Sequence, residues 1–174
     1  MKKQIGIHER LYPNPVVLVT SSYQGEDNII TLAWAGTVCS NPPLISISIR
    51  PPRHSHALIK KSSEFVINIP DKSQASICQY CGTKSGKDVD KFKELNLSKA
   101  KPNHTNTPLI AECPINIECR VKDIISLGTH DLFIGEVLGI SSNPDLVYED
   151  GDIDYEKLNT LTYLMGKYYS IKPV

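Results

Sequence analysis

The chain has 174 residues, a length that suits one domain with a substantial hydrophobic core. Apolar residues make up 40% of it and charged residues 22%, a balance typical of globular proteins that argues against a disordered chain. The 19 basic residues cancel the 19 acidic ones, so the overall charge gives no reason to expect nucleic acid or an anionic membrane as a partner.

No apolar run approaches the length of a transmembrane helix, and residues 1–4 lead into no signal-peptide core. We therefore expect a cytoplasmic protein that is not embedded in a membrane. The chain holds five cysteines. An odd number without a secretory signal predicts reduced thiols rather than a disulfide framework.

Cys78 and Cys81 form a C-x-x-C pair. A structural zinc site would need a second pair, and Cys113 and Cys119 are separated by five residues within a predicted strand, which is a poor spacing for it. Thioredoxin-like chemistry would need a βαβ setting that is missing here. We expect structural cysteines and no metal site, with a zinc-stabilised interaction module as an alternative.

Runs of β-branched and aliphatic residues between polar turns predict six strands. Short strands at close spacing, without full helices between them, favour a mostly β barrel over a doubly wound parallel sheet. No linker divides the chain, so we expect a single domain over residues 1–174. The strands are expected at residues 16–20, 29–34, 44–49, 65–69, 115–125 and 132–141.

Three short helices are also predicted, at residues 55–61, 73–81 and 88–95. Ser55 is expected to cap the first of them, and Asp88 is expected to give the third an acidic cap. Residues 82–87 come nearest to a Gly/Lys phosphate loop, but their spacing is wrong for one and they are expected to form a solvated loop.

The strand at residues 44–49 alternates aliphatic side chains with serines. Because successive side chains of a strand point to opposite faces, one face is apolar and the other carries the hydroxyls of Ser46 and Ser48. The strand ends at Arg50. It can form one wall of a ligand cleft, and we expect the rest of the chain to complete that cleft.

A basic corner follows this strand, with Arg50, Arg53, His54 and His56 where the chain turns into the first predicted helix. Guanidinium groups and helix N–H groups suit a phosphate, although a charged exposed corner is an equally good interpretation. Trp34 fits either a core position or the border of a planar ligand.

Several stretches of the chain carry a more specific signal together. Residues 31–44 read TLAWAGTVCSNPPL, and residues 48–55 read SIRPPRHS. In order and content these stretches resemble the flavin reductase-like, FMN-binding split-barrel family, in particular its flavoredoxin branch. Further matching stretches lie at residues 64–70, 85–92, 108–114 and 128–137.

The resemblance implies a mostly β, Greek-key split barrel that forms a homodimer. It also implies one flavin for each subunit, FMN in preference to FAD, in a groove near the subunit interface. Carried over position by position, the implied cofactor-binding residues are Thr31, Trp34, Thr37, Val38, Cys39, Arg50, Arg53, Ser55, Lys91, His130 and Tyr163.

Particular roles follow from the same resemblance. Backbone amides of a loop at residues 37–39 would bond the polar edge of the flavin ring. Arg50, Arg53 and Ser55 would bind the ribityl chain and the phosphate of the flavin. From residues taken alone, His130 would be an ordinary surface histidine.

Three further residues have roles at the ring itself. Lys91 would reach in from the third helix and stabilise the reduced anion, and Tyr163 would cover part of the cofactor. His130 would stand beside the ring as the catalytic residue, ordering the nicotinamide or passing a proton.

The implied activity is that of an oxidoreductase in which NAD(P)H delivers a hydride to flavin N5 and the electrons pass to a second acceptor. That acceptor is a small molecule, such as free flavin or a ferric chelate, or a redox protein. The alternative is an electron carrier or flavin store with little turnover of its own. No acidic residue that reads a ribose can be placed, so the sequence does not separate NADH from NADPH.

Overall fold

Twelve β-strands and three α-helices make up the regular structure of residues 1–9 and 11–172, the part of the chain that the computed structural model describes. The helices are α1 (His54–Ser62), α2 (Ala75–Thr83) and α3 (Lys91–Glu94). The strands are β1 (Asn14–Pro15), β2 (Val17–Tyr23), β3 (Glu26–Leu32), β4 (Ala35–Ser40), β5 (Pro43–Ile49), β6 (Glu64–Ile69), β7 (Lys99–Ala100), β8 (Leu109–Ile110), β9 (Ile115–Ser126), β10 (Asp131–Ser142), β11 (Leu161–Leu164) and β12 (Lys167–Ser170).

Seven strands form one antiparallel sheet in the order β3-β2-β6-β9-β10-β5-β4. Its two edge strands, β3 and β4, follow one another in the chain and are joined by Ala33 and Trp34. The carbonyl of Trp34 accepts a hydrogen bond from the N–H of Ser48 on β5 at 2.9 Å, which continues the pairing of β4 with β5 into this connection. Because only two residues join the edge strands, the sheet has to curl until its edges come close together. The result is a mostly β split barrel with Greek-key connections, as predicted.

Alternate residues of β2 belong to two different cores. Val17 and Val19 pack inside the barrel, where Ile59 of α1 joins them. Leu18 points the other way, into a second core that includes Phe92 of α3. Because both faces of β2 are buried at its start, residues 17–19 form a continuous apolar run rather than an alternating one, and polar residues follow from Thr20.

All six predicted strands are present, with end points shifted by a few residues. The second ends at Leu32, so Trp34 lies in the connection and not in the strand. The loop predicted at residues 37–39 is wrong, because these residues lie within β4. Small and polar residues with weak strand propensity concealed this edge strand. Its pairing register with β5 shifts between Thr37 and Cys39, which leaves Val38 without a paired residue.

The helix caps differ from the prediction. Ser55 does not cap α1: the N-cap is Arg53, which makes no side-chain cap bond. The third helix is a single turn that starts at Lys91, and the side chain of Asp90, not Asp88, caps it. The second helix is preceded by a 3₁₀ turn (Lys72–Gln74) and extends to Thr83.

The five cysteines are free, as predicted. Burial raises the pKa of Cys78 to about 12 and that of Cys81 to about 11, so both thiols stay protonated at neutral pH. Within the described ranges, no group of three or more His, Cys, Asp or Glu side chains is arranged to hold a metal ion. Among the helices described, none is long and apolar enough to cross a bilayer.

Glu118 of β9 is a buried carboxylate that holds the loop before β8. Its two oxygens accept the backbone N–H groups of Asn103, His104 and Thr105 at 2.8 to 3.0 Å. Burial opposes the charge, but these donors together hold the pKa of Glu118 below its usual value. The carboxylate therefore stabilises the fold above its usual pKa, and this contribution is lost as the pH falls through the lowered folded value.

We expect Glu118→Gln to lower the free energy of unfolding by about 2 kcal/mol at neutral pH, because an amide N–H replaces one of the acceptors. The difference from the wild type should shrink in acid. Denaturant titrations at neutral and acid pH measure it, with Glu136→Gln, at a partly exposed position of β10, as control. A loss of the same size at both pH values would show that the charge is not what matters.

Candidate functional site

A groove with two joined compartments lies where β3, β5, α2 and the β11–β12 hairpin meet. The aromatic compartment has a volume of about 510 Å³ and is bordered by Trp34, His130 and Tyr163. The cationic compartment has a volume of about 380 Å³. Arg50 and Arg53 line both compartments and so mark their junction.

Two rings form one wall of the aromatic compartment. Trp34, in the β3–β4 connection, and His130, immediately before β10, lie with ring centroids 4.6 Å apart and planes tilted by 39°. Trp34 is 41% exposed, so a large indole surface remains open. An open aromatic face in a groove suits a planar ligand, since such rings stack favourably.

The β11–β12 hairpin also lines the aromatic compartment. Tyr163 of β11 and Tyr168 of β12 pack edge to face with centroids 5.9 Å apart. Thr31 of β3 also lines the compartment, and its hydroxyl donates to the carbonyl of Cys78 at 2.6 Å. That bond links β3 to α2 and holds together the two elements that line this part of the compartment.

The serine face of β5 lies where the sequence predicts it. Ile47 and Ile49 are buried in the barrel core, while Ser46 and Ser48 stay partly exposed on the opposite face. Ser48 lines the aromatic compartment. The wall predicted from the alternation is therefore present.

His130 is electrostatically tuned by its surroundings. Partial burial lowers the pKa of His130, and the positive charge of Arg50 lowers it further. The neutral imidazole is therefore favoured at neutral pH. Nδ1 lies 3.0 Å from the hydroxyl of Thr129. The other ring nitrogen, Nε2, is therefore the one that can form a hydrogen bond with a ligand or exchange a proton with it.

The cationic compartment is built on the corner after β5. The N–H of Arg53 donates to the carbonyl of Arg50 at 3.0 Å, which closes a tight turn and brings both guanidinium-bearing residues to the same place. Lys84 and Gly86, in the loop after α2, line the other side. Guanidinium and ammonium groups converging on one cavity suit an anion such as a phosphate.

Lys91 is the buried cation of this compartment. It is 3% exposed, and its Nζ donates to the carbonyls of Ile29 at 2.6 Å and Cys81 at 2.9 Å. Burial lowers the pKa of Lys91 to about 8, and the positive charge of Arg53 acts in the same direction. The charge of Lys91 therefore changes within the physiological range.

The structure brings most of the predicted site residues together. Those that line one or both compartments are Thr31, Trp34, Arg50, Arg53, Lys91, His130 and Tyr163. Thr37, Val38 and Cys39 line neither, because they lie along the edge strand β4.

Ser55 does not open into the groove. Its side chain is fully buried, and its hydroxyl accepts from Asn28 at 2.8 Å and from Ser21 at 3.2 Å. A Cβ added to Gly86 would come within 2.1 Å of the Asn28 side chain, so only glycine fits there. Ser55 thus supports the wall of the cationic compartment through Asn28.

Sequence reasoning missed part of the cationic compartment. Residues 82–87 are expected to form a solvated loop, yet Lys84, Ser85 and Gly86 line the cavity. The Gly/Lys composition carried the signal, but the spacing matches no known phosphate loop. Tyr168 of the hairpin was also missed, because no pattern in the tail places it beside Tyr163.

The model of the flavin reductase like domain matches residues 9–172. The chain belongs to the flavin reductase-like family. It is similar to the flavoredoxin of Desulfovibrio vulgaris (Miyazaki F), with 30% identity, a TM-score of 0.93 and coverage of 100% of this chain and 95% of that one. The flavoredoxin of Methanosarcina acetivorans gives 26% identity and a TM-score of 0.88, covering 99% and 94% of the two chains.

A curated relative also matches this flavin reductase-like chain over most of its length. It is the reductase component of the 4-nitrophenol 4-monooxygenase/4-nitrocatechol 2-monooxygenase of Rhodococcus opacus. The identity is 29% over 127 residues, which are 73% of this chain and 65% of the relative. A role in flavin-dependent redox chemistry agrees with the aromatic and cationic compartments of the groove.

Proposed function

We propose that this protein is an FMN-dependent oxidoreductase that passes electrons from NAD(P)H to a second acceptor. The observation that carries the proposal is the junction of the two compartments at Arg50 and Arg53. An aromatic cavity joined to a cationic one matches a planar ring with a phosphate at the end of its side chain. The acceptor is a small molecule or a redox protein.

The residues present fit an FMN at both of its ends. Trp34, His130 and Tyr163 would border the ring, and Arg50 and Arg53 would hold the phosphate. When bound, the flavin supplies the hydride and single-electron chemistry. The protein then has to bind it, orient it and leave one face open to the electron donor.

His130 would act at the ring and Lys91 at the phosphate. Lys91 lines the cationic compartment and not the aromatic one, which favours this role over the stabilisation of the reduced ring that the resemblance implies. In the tautomer in which Nδ1–H donates to the Thr129 hydroxyl, the neutral imidazole of His130 can take a proton at Nε2, and the imidazolium so formed can give it back. The ammonium group of Lys91 adds positive charge to the cationic compartment and so favours an anionic ligand.

We also propose a homodimer with the flavin near the subunit interface. Thr37, Val38 and Cys39 lie on the edge strand and are absent from the groove of their own subunit. Val38 is 50% exposed there. In a dimer these residues would border the flavin of the partner subunit. Sedimentation of the wild type and of Val38→Glu tests this proposal. The wild type is expected to sediment as a dimer, and the variant as a monomer, because a charged side chain would lie in the interface.

The charge of Lys91 gives a pH dependence that can be measured. FMN affinity of the wild type is expected to fall, by up to about tenfold, as the pH rises through about 8 and Lys91 loses its proton. A neutral amine can still donate to both carbonyls, so the fold should not change. Flavin fluorescence titrations with FMN and with riboflavin, which lacks the phosphate, measure the effect.

The matched variant for this prediction is Lys91→Met. It should bind FMN more weakly than the wild type at neutral pH, and its FMN affinity should no longer fall as the pH rises. Lys122→Met, at an exposed position of β9, should behave like the wild type. An affinity for FMN that stays constant across this pH range in the wild type would contradict a role for Lys91 in holding the phosphate.

Steady-state oxidation of NADH and NADPH tests the proposed activity. Protein loaded with FMN is expected to show saturation with one of the two nucleotides when free flavin or a ferric chelate is supplied as acceptor. Slow reduction without saturation by either nucleotide would contradict the enzymatic proposal and indicate an electron carrier or flavin store.

A further inference from the structure

A buried polar contact adjoins His130 and is not used by the proposed chemistry. Nε2 of His56 on α1 lies 2.8 Å from Oδ2 of Asp131, the residue that follows His130. Because a carboxylate only accepts, His56 is the donor. The hydroxyl of Ser126, at the end of β9, donates to the other oxygen, Oδ1, at 2.7 Å. Three elements are thus joined at one carboxylate.

The turn that carries His130 has few contacts of its own. Residues 127–130 connect β9 to β10, and Leu127 in this turn is 63% exposed. The N–H of Leu127 donates to the carbonyl of His130 at 3.0 Å. At the base of the turn Asp131 and Ser126 are partners in the strand register. The base is therefore the point at which the turn can be held.

We propose that His56, Asp131 and Ser126 are positioning residues that hold His130 against Trp34. The carboxylate of Asp131 contacts His56 and Ser126, whereas the imidazole of His130 lies against Trp34, so the two neighbouring side chains point to different surroundings. Fixing that carboxylate fixes the backbone from which His130 projects. The importance of this for turnover rests on the proposed function, but the positioning itself requires no flavin.

The surroundings of Asp131 make this anchor rigid. His56 is 6% exposed and Asp131 is 7% exposed. The ring of His56 packs edge to face on Phe133, with centroids 5.1 Å apart. The Ser126 hydroxyl and then the His56 ring hold the pKa of Asp131 below its usual value, and the charge of Lys60 acts in the same direction. Asp131 therefore remains an acceptor at neutral pH.

The side of His130 that faces the groove has different neighbours. Arg50 contributes positive charge, Thr129 contributes a hydroxyl, and Trp34 provides the ring against which the imidazole lies. If the anchor is lost, His130 should move away from Trp34 and from Arg50. Its titration should then approach that of an ordinary exposed histidine.

Trp34 allows this to be measured without cofactor, because it is the single tryptophan of the chain. A protonated imidazole in contact with an indole quenches its fluorescence. Emission of the flavin-free wild type is therefore expected to rise with pH as His130 loses its proton, with a midpoint below the usual value for histidine. His130→Gln should abolish this transition.

In His56→Leu the amplitude of the transition is expected to fall by at least about half, with an upward shift of the midpoint. His56→Gln keeps a donor for Asp131 and should restore most of the amplitude. His104→Gln, an exposed histidine that lines neither compartment, should titrate like the wild type. With FMN and NAD(P)H, His56→Leu should lose kcat several-fold with little change in FMN affinity.

Ser126→Ala keeps the test decisive if His56→Leu does not fold, because it removes a single hydroxyl at the edge of the contact. It should reduce the amplitude less than His56→Leu. A wild-type titration in Ser126→Ala and in every folded His56 variant would overturn the positioning role. Failure to bind FMN would remove the proposed function but leave the emission transition, so the two failures can be told apart.

Discussion

Replacing Arg50 and Arg53 together by alanine is expected to weaken FMN binding on the order of hundredfold. Both arginines line both compartments, and their turn is closed by a backbone bond, so they are held ready for a phosphate. Charge-assisted hydrogen bonds are each worth about 1.5–3 kcal/mol, which is a tenfold loss or more for each arginine. Equilibrium titration by flavin fluorescence measures the affinity.

Riboflavin provides the internal control for the double variant. It lacks the phosphate, so its affinity should change by less than about threefold. Arg120→Ala removes an exposed arginine of β9 that lines neither compartment and should leave both affinities unchanged. An equal loss of FMN and riboflavin affinity in the double variant would show that the arginines support the fold and not the phosphate.

Gly135→Ala is expected to destabilise the protein by about 3 kcal/mol, a fall of roughly 10 °C in Tm. An ideal Cβ at Gly135 of β10 would lie 2.5 Å from Cζ of Phe65 and 3.0 Å from Cβ of Cys119. Phe65 and Cys119 are fully buried in the barrel core. Neither has space to move away, so the added methyl must displace a ring or a strand.

Thermal unfolding followed by circular dichroism measures this effect. Gly36→Ala is the matched control, since nothing lies within 4 Å of a Cβ at that position on β4. Phe65→Leu in the Gly135→Ala background should recover part of the lost stability, because it makes room for the methyl. If Gly135→Ala were as stable as the wild type, the close packing of Phe65 against β10 would be wrong.

The barrel follows from the sequence to the extent that hydrophobic patterning decides it. The alternation at residues 44–49 and the short apolar run at the start of β2 place these strands correctly, because burial on one face or on both leaves distinct patterns. The edge strand β4 is not readable in this way. Its stability comes from pairing with β5, which is a long-range property that propensity does not record.

The site shows the same division. Arg50 and Arg53 stand close together in the sequence, so their meeting at a corner is predictable. Lys91 and Lys84 reach the same compartment only through the packing of α2 and α3 against β3. Ser55 has the polarity of a cap or phosphate ligand, and only tertiary contacts show that Asn28 and Ser21 occupy its hydroxyl.

The most direct test is the visible absorption spectrum of the purified protein after incubation with excess FMN and removal of free flavin. We expect a yellow protein with a flavin spectrum, about one FMN for each chain, and quenched emission from Trp34 beside the ring. Heat release of the chromophore should yield FMN rather than FAD. A protein that stays colourless, with Trp34 emission unchanged by FMN, would contradict the assignment of the groove.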